Sequence, residues 1–231
     1  MSYNLLTVSG DSKTVKGEQH GYLTGILYLS PASLSGKNLC PHSSPGCRAA
    51  CLYTSGRARM FPAINKARLR RSELFIKNRE SFMIQLMGDI AKLESAAKKK
   101  GLKAAVRLGG TSDISFENIQ IFGKTIFEHF SKVKFYEYSK DFKRFLNKNR
   151  PKNLHLTFSK SETNSHLIPI ITNLGYNVAV VFRKKIPLKW NGRKTINADS
   201  HDLRFLDPKG VICALRAKGR AKIDTSGFVV D

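Results

Sequence analysis

"VKFYEYSKDFKRFLNKNRPKNLHLTFSK", residues 133–160, is the stretch whose reading decides the fold class. Val133–Tyr138 and Leu154–Phe158 are short runs dense in apolar, aromatic and β-branched residues, and Phe142–Asn149 between them has helical character. Two strands joined through a helix read as a parallel pair with its crossover. The rhythm continues in both directions. Lys103–Leu108, Asn177–Phe182 and Gly210–Leu215 read as strands, Phe116–Phe130 and Asn164–Leu174 as helical connections. With Tyr22–Leu29 the count is six strands, too few for a closed eight-fold barrel. The expected fold class is therefore α/β, with parallel βα repeats forming an open or partial barrel-like sheet and helices outside it.

Between the first strand and this series lies Phe61–Lys100, which contains only Pro62 and Gly88 as breakers. Phe82, Leu86, Ile90 and Leu93 share one helical face, so the segment reads as one long helix or a helical hairpin broken near Asn78. Lys98–Lys100 followed by Gly101 is a helix C-terminal signal. No linker or low-complexity tract divides the chain, and residues 1–231 read as a single α/β domain. Residues 187–231, with the turn clusters WNG, NADSHD and LDPKG, read as a C-terminal extension packed on that domain.

Three strand candidates end alike, in Tyr138-Ser139-Lys140, Phe158-Ser159-Lys160 and Phe182-Arg183-Lys184, and a fourth runs Arg107-Leu108-Gly109-Gly110-Thr111-Ser112-Asp113. Parallel α/β sheets bind ligands outside the carboxyl ends of their strands, where loops converge. Arg107, Ser139, Lys140, Ser159, Lys160 and Arg183 would there cradle an anionic substrate.

The chain carries 40 Lys and Arg against 17 Asp and Glu, a net charge of +23. An excess of that size favours a polyanionic partner, most obviously nucleic acid, or simply keeps the chain in solution. Arg57–Arg79 holds eight basic residues and the single acid Glu73, which makes Arg68, Arg70 and Arg71 the candidate phosphate contacts. The first 21 residues show neither the basic nor the apolar region of a secretory signal, and no apolar run is long enough to span a bilayer. A cytoplasmic protein with no membrane partner is expected.

In a reducing compartment, clustered cysteines favour metal or redox roles over disulfides. The loop at residues 38–57, "NLCPHSSPGCRAACLYTSGR", places Cys40, Cys47 and Cys51 at C-x6-C and C-x3-C spacing. Pro41, Pro45 and Gly46 let it fold back so that three thiolates meet. Three ligands leave one position open: on a four-iron (4Fe-4S) cluster it would take a substrate or cofactor, and on zinc it would take water or His42. The bland alternative is that Cys47 and Cys51 are small buried residues one helical turn apart. Cys213, within VICAL, reads as core packing. A metal-dependent nuclease would need paired carboxylates, for which Asp113, Glu117, Asp199 and Asp202 are candidates. Ser200-His201-Asp202 is a contiguous tripeptide, whereas a catalytic triad is assembled in space.

The strings KTVKGEQHGYLTGILYLSP, CLYTSGR, VRLGGTSDI, LHLTFSKSE, NVAVVFR and LRFLDPKGVICALRAKGRAKIDTSGFVVD together resemble the phage and plasmid proteins grouped as the gene product 88 family. The resemblance covers nearly the whole chain and implies a mobile-element origin, hence the cytoplasm of a bacterial host. A weaker likeness is to radical S-adenosylmethionine enzymes, which place a three-cysteine loop after the first strand of a partial barrel and a glycine pair after the next. That superfamily's usual spacing is C-x3-C-x2-C with Glu after the glycines, where this chain has C-x6-C-x3-C and Thr111. The likeness implies a four-iron cluster on Cys40, Cys47 and Cys51, with S-adenosylmethionine on its open iron. It also implies that Gly109, Gly110, Thr111 and Asp113 face the cofactor, while Lys140, Lys160 and Arg183 take the substrate or the cofactor carboxylate. The other reading is a nucleic-acid-binding accessory protein of phage or plasmid replication, with structural zinc or no metal.

Overall fold

A computed structural model describes residues 3–8 and 12–231, with backbone alone for residues 12–14. In chain order its strands and helices are β1 (Leu6–Val8), α1 (Ser12–Glu18), β2 (Tyr22–Leu27), α2 (Pro45–Ala49), α3 (Arg57–Met60), α4 (Pro62–Lys77), α5 (Arg79–Lys99) and β3 (Lys103–Arg107). There follow β4 (Gln120–Ile121), β5 (Lys124–Thr125), α6 (Ile126–His129), β6 (Lys134–Ser139), α7 (Phe142–Leu146) and β7 (Leu154–Ser159). The chain closes with α8 (Ile168–Asn173), β8 (Asn177–Phe182), β9 (Lys189–Trp190), β10 (Arg193–Asn197) and β11 (Ile212–Arg216).

Nine of the strands form one sheet in the order β1-β2-β3-β6-β7-β8-β11-β10-β9. The seven from β2 to β10 pair in parallel, and only the edge strands β1 and β9 run against them. From β2 to β8 each strand lies beside its predecessor in the large sheet, so the sheet winds in one direction. Crossovers of one hand then put their helices on one face. The alternation of side chains agrees: Leu23, Val106, Phe135, Leu156, Phe158, Val180 and Ile212 pack with α5, α6, α7 and α8 in one core. The opposite face carries Ala105, Tyr136, Tyr138, Ala179 and Cys213, and is covered by the returning segment that bears Ala198, Leu203 and Phe205. The sheet is open: its edge strands β1 and β9 pair only with β2 and β10.

The helical hairpin breaks at Asn78, whose backbone is non-helical and whose side chain accepts from the Ser81 N–H at 3.0 Å to cap α5. Phe82, Leu86, Ile90 and Leu93 are all buried beneath it, each contributing about 1.5–3 kcal/mol. One expected helix fails. Phe116–Phe130 folds as a single 3-10 turn, the β4–β5 hairpin and the four-residue α6. Phe122 and Gly123 both have positive φ, 52° and 75°, the two-residue turn that joins hairpin strands. Residues 187–231 add β9, β10 and β11 to the same sheet.

Candidate functional site

After β2 the chain runs across the carboxyl ends of the parallel strands, carrying the three cysteines. Cys40 lies in an irregular segment where the Ala32 N–H donates to its sulfur at 3.3 Å. Its thiol sits 3.6 Å from the Thr111 carbonyl, and the Asp113 N–H donates to the Leu39 carbonyl at 3.0 Å. Cys47 is presented by α2. Ser44 caps that helix by accepting from the Cys47 N–H at 3.2 Å, and Pro45 fixes its first turn. The Glu162 carboxylate then takes the Ser44 hydroxyl and the Gly46 N–H, each at 2.7 Å. Cys51 follows directly, its N–H donating to the Arg48 carbonyl at 3.4 Å.

All three thiols are free. Burial pushes the Cys40 thiol up to about 11, and negative charge on Cys51, Asp113 or Cys47 pushes it the same way. Burial also raises Cys51, as does charge on Cys47, while Lys140 and Arg68 oppose both. The three sulfurs are therefore close enough to feel one another's charge. Burial works against the Lys140 ammonium, but Cys47 and Asp113 more than offset it and hold its pKa above the ordinary range. Lys140 stands close enough to Cys47 for their charges to interact, and its Nζ donates to Ser159 Oγ at 3.0 Å. Among the described residues, no three His, Cys, Asp or Glu side chains close around a single metal ion. His42 points instead to Asp141, at 3.5 Å.

The residues expected to face a cofactor are engaged within the chain. A side chain at Gly110 would stand 2.6 Å from the Leu27 carbonyl oxygen and 2.7 Å from the Tyr28 ring, and one at Gly109 would stand 2.9 Å from the Ser112 carbonyl oxygen. The glycine pair lets this turn press against the end of β2, and the Gly110 N–H donates to the Leu27 carbonyl at 3.0 Å. The Thr111 hydroxyl donates to the Leu29 carbonyl, and Asp113 accepts from Ser139 Oγ at 2.7 Å and the Lys140 N–H at 2.9 Å. These groups form the floor on which the Cys40 segment rests.

The six candidate anion ligands separate. Ser139, Lys140 and Ser159 stay beside the cysteines. Lys160 is buried, and its Nζ donates to the carbonyls of Gly227 and Phe228. Arg183 holds the same tail through Asp231 at 2.5 Å and the carbonyls of Lys222 and Asp224. Together they strap residues 224–231 over the face, where Phe228 packs in one small cluster with Cys47 and its ring lies 5.8 Å from Lys140 Nζ. Arg107 points to the opposite face of the sheet, paired with Asp202 at 2.8 Å and set over the Tyr138 ring.

Of the three arginines read as phosphate contacts, Arg70 is exposed and lies 3.8 Å over the Tyr3 ring. Arg68 is buried over Tyr28 near Cys51, and Arg71 donates to the Asn4 carbonyl. The candidate nuclease carboxylates are each matched by a cation: Asp113 and Glu117 share Arg144, Asp199 meets Lys218, and Asp202 meets Arg107. Ser200 donates to the Asn197 carbonyl while His201 contacts Arg204, so that tripeptide diverges. Cys213 is core. Glu162, Arg144 and Phe228 were not singled out from the sequence. Only the "KSE" that follows β7 hinted at the first.

A family model described as gene product 88 matches residues 4–231. This chain belongs to the gene product 88 family. No curated protein and no solved structure matches it. In this family member the cysteine loop, the glycine turn and the C-terminal strap thus all fall inside the matched span, and no helix among the described residues is long and apolar enough to cross a membrane.

Proposed function

We propose that this phage-type protein holds an iron–sulphur cluster on Cys40, Cys47 and Cys51 and acts on an anionic substrate at the carboxyl ends of its sheet, in the manner of radical S-adenosylmethionine enzymes. The observation that carries this reading is the gathering of three free thiols at that face, with Lys140 and Arg68 beside them. Each thiolate of a cluster binds its own iron corner, so the donors stand further apart than around one zinc ion. That no three His, Cys, Asp or Glu side chains close around one ion among the described residues speaks against zinc more than against a cluster.

When bound, a cluster with an open corner supplies one-electron chemistry to a ligand such as S-adenosylmethionine. The chain's own residues have simpler tasks. Lys140 and Arg68 oppose the burial that raises the Cys51 thiol. Thr111 and the Asp113 backbone hold the Cys40 segment, while Ser44 and Glu162 fix α2 and so Cys47. The strap carrying Phe228 partly covers Cys47. The Gly219–Ile223 turn packs on Leu52–Thr54, which brings the segment with exposed Arg220 and Lys222 beside that with exposed Arg57 and Arg59, a basic rim for an anion.

Anaerobic reconstitution with iron and sulphide tests the reading. Wild type is expected to turn brown and to retain about four iron per chain. Cys40→Ser, Cys47→Ser and Cys51→Ser should each lose that content, and Cys213→Ser should keep it. A colourless, iron-free wild type, or iron retained by the triple variant, overturns it.

A second reading, nucleic-acid binding, is favoured by the inward placement of acids such as Asp89, Glu137, Asp202 and Asp224 against exposed Arg57, Arg59, Lys66 and Arg70 on α3 and α4. Salt titration of oligonucleotide binding by anisotropy tests it. The slope of log K against log salt should fall by about 0.9 per phosphate contact removed in Lys66→Gln and Arg70→Gln.

A further inference from the structure

At the opposite, amino end of the sheet lies a cavity of about 290 Å3, close to the lower size of small-ligand pockets. Lys134 opens β6, Arg150 and Lys152 lead into β7, and His155 stands on β7; all four line it, with Tyr176 and Phe205 as aromatic walls. No Asp or Glu among the described residues lines it. Three enclosed arginines elsewhere pair with carboxylates: Arg107 with Asp202, Arg144 with Glu117 and Glu137, and Arg204 with Asp207; half-buried Arg150 and exposed Lys134 and Lys152 have no such partner in the cavity lining. Three cations that converge without a counter-charge repel one another, and an anion between them relieves that repulsion.

Two buried nitrogens add to this. His155 Nε2 and Arg150 Nε have no hydrogen-bond partner among the described residues. Arg150 is held in place by donating to Tyr176 Oη at 2.7 Å and lying over the Tyr176 ring. We propose that this cavity binds a phosphoryl group, with Lys134, Arg150 and Lys152 as counter-charges and His155 Nε2 as a further hydrogen-bonding partner. Arg150 suits this task because a guanidinium offers a planar fork to phosphate oxygens. Burial, with Arg150, Arg204 and Lys134 nearby, lowers His155 to about 4, so at neutral pH the imidazole contributes a hydrogen bond rather than a fourth charge. Phe205 and Tyr176 offer ring surface to whatever the phosphoryl group is esterified to.

This site is independent of the cysteine reading, and metal-free full-length protein tests it. Calorimetric titration would use inorganic phosphate and, separately, a short oligonucleotide without terminal phosphates. Saturable one-site binding of at least one probe is expected, weakened about tenfold or more in Lys134→Gln/Lys152→Gln. The exposed pair Lys184→Gln/Lys185→Gln, outside the cavity lining, should bind like wild type. Both double variants change exposed residues, and unchanged melting confirms their folding. Arg150→Lys, which keeps the charge but loses the fork, should also weaken binding. Preference for phosphate assigns the site to free phosphate or a monoester, and preference for the oligonucleotide to a diester backbone. No saturable binding of either probe, or equal weakening in both double variants, overturns the proposal.

Discussion

Gly110→Ala separates two explanations of the glycine pair, one a passage for a cofactor and the other the packing of a turn. The added methyl would stand 2.6 Å from the Leu27 carbonyl oxygen, 2.7 Å from Tyr28 Cδ1 and 2.9 Å from Ile26 Cγ2. Ordinary contact needs about 3.5 Å, so the turn must retreat from β2 by roughly 1 Å. Two of the obstacles belong to neighbouring side chains, but the nearest is backbone and cannot swing aside. Overpacking of this kind costs about 1–3 kcal/mol. The retreat also breaks the 3.0 Å bond from the Gly110 N–H to the Leu27 carbonyl, worth about 1 kcal/mol. The sum is about 2–4 kcal/mol, or a fall in Tm of roughly 4–16 °C for a chain of this size. Urea and thermal unfolding of metal-free protein, followed by circular dichroism, measures it. A glycine needed only by a cofactor leaves the stability of metal-free protein unchanged. Wild-type stability in Gly110→Ala would therefore refute the packing argument.

Burial raises Glu137 from 4.5 to about 7 despite Arg144 beside it, and charge on Glu117 and Asp113 adds to the rise. The folded chain keeps a proton there that the unfolded chain has released, so stability falls as pH rises from about 4.5 to about 7, by about 3 kcal/mol. Glu137→Gln should remove that fall in urea melts at pH about 5 and about 8, and an unchanged difference between the two pH values would contradict it. Asp202→Asn leaves Arg107 enclosed without its counter-charge and should cost about 3–5 kcal/mol in chemical denaturation, with part recovered in Asp202→Asn/Arg107→Met. Lys160→Met removes the charged donor to the Gly227 and Phe228 carbonyls. Loss of about 1.5–3 kcal/mol there should open the strap 10- to 100-fold more often. Alkylation of Cys47 should accelerate accordingly while that of Cys213 does not; equal rates in both proteins count against the strap.

The sequence alone determined the parallel βα series and the burial of Phe82, Leu86, Ile90 and Leu93, and offered the break near Asn78 as one of two readings. These rest on local periodicity and caps, which neighbours a few residues away decide. It misjudged residues 116–130, where apolar spacing imitates a helix and only the positive φ of Phe122 and Gly123 reveals the hairpin. It identified the thiols but not their surroundings. Tertiary structure alone decided that Glu162, 115 residues beyond Cys47, caps the helix presenting it. The same holds for Lys160 and Arg183, which hold the C-terminal strap instead of standing open to an anion, and for Arg68, which is buried over Tyr28 rather than facing solvent. A lysine's place in a chain says nothing of which carbonyl will meet its ammonium. That partner is set by which strand ends the parallel sheet brings side by side, and the order of the sheet, not of the sequence, makes those neighbours.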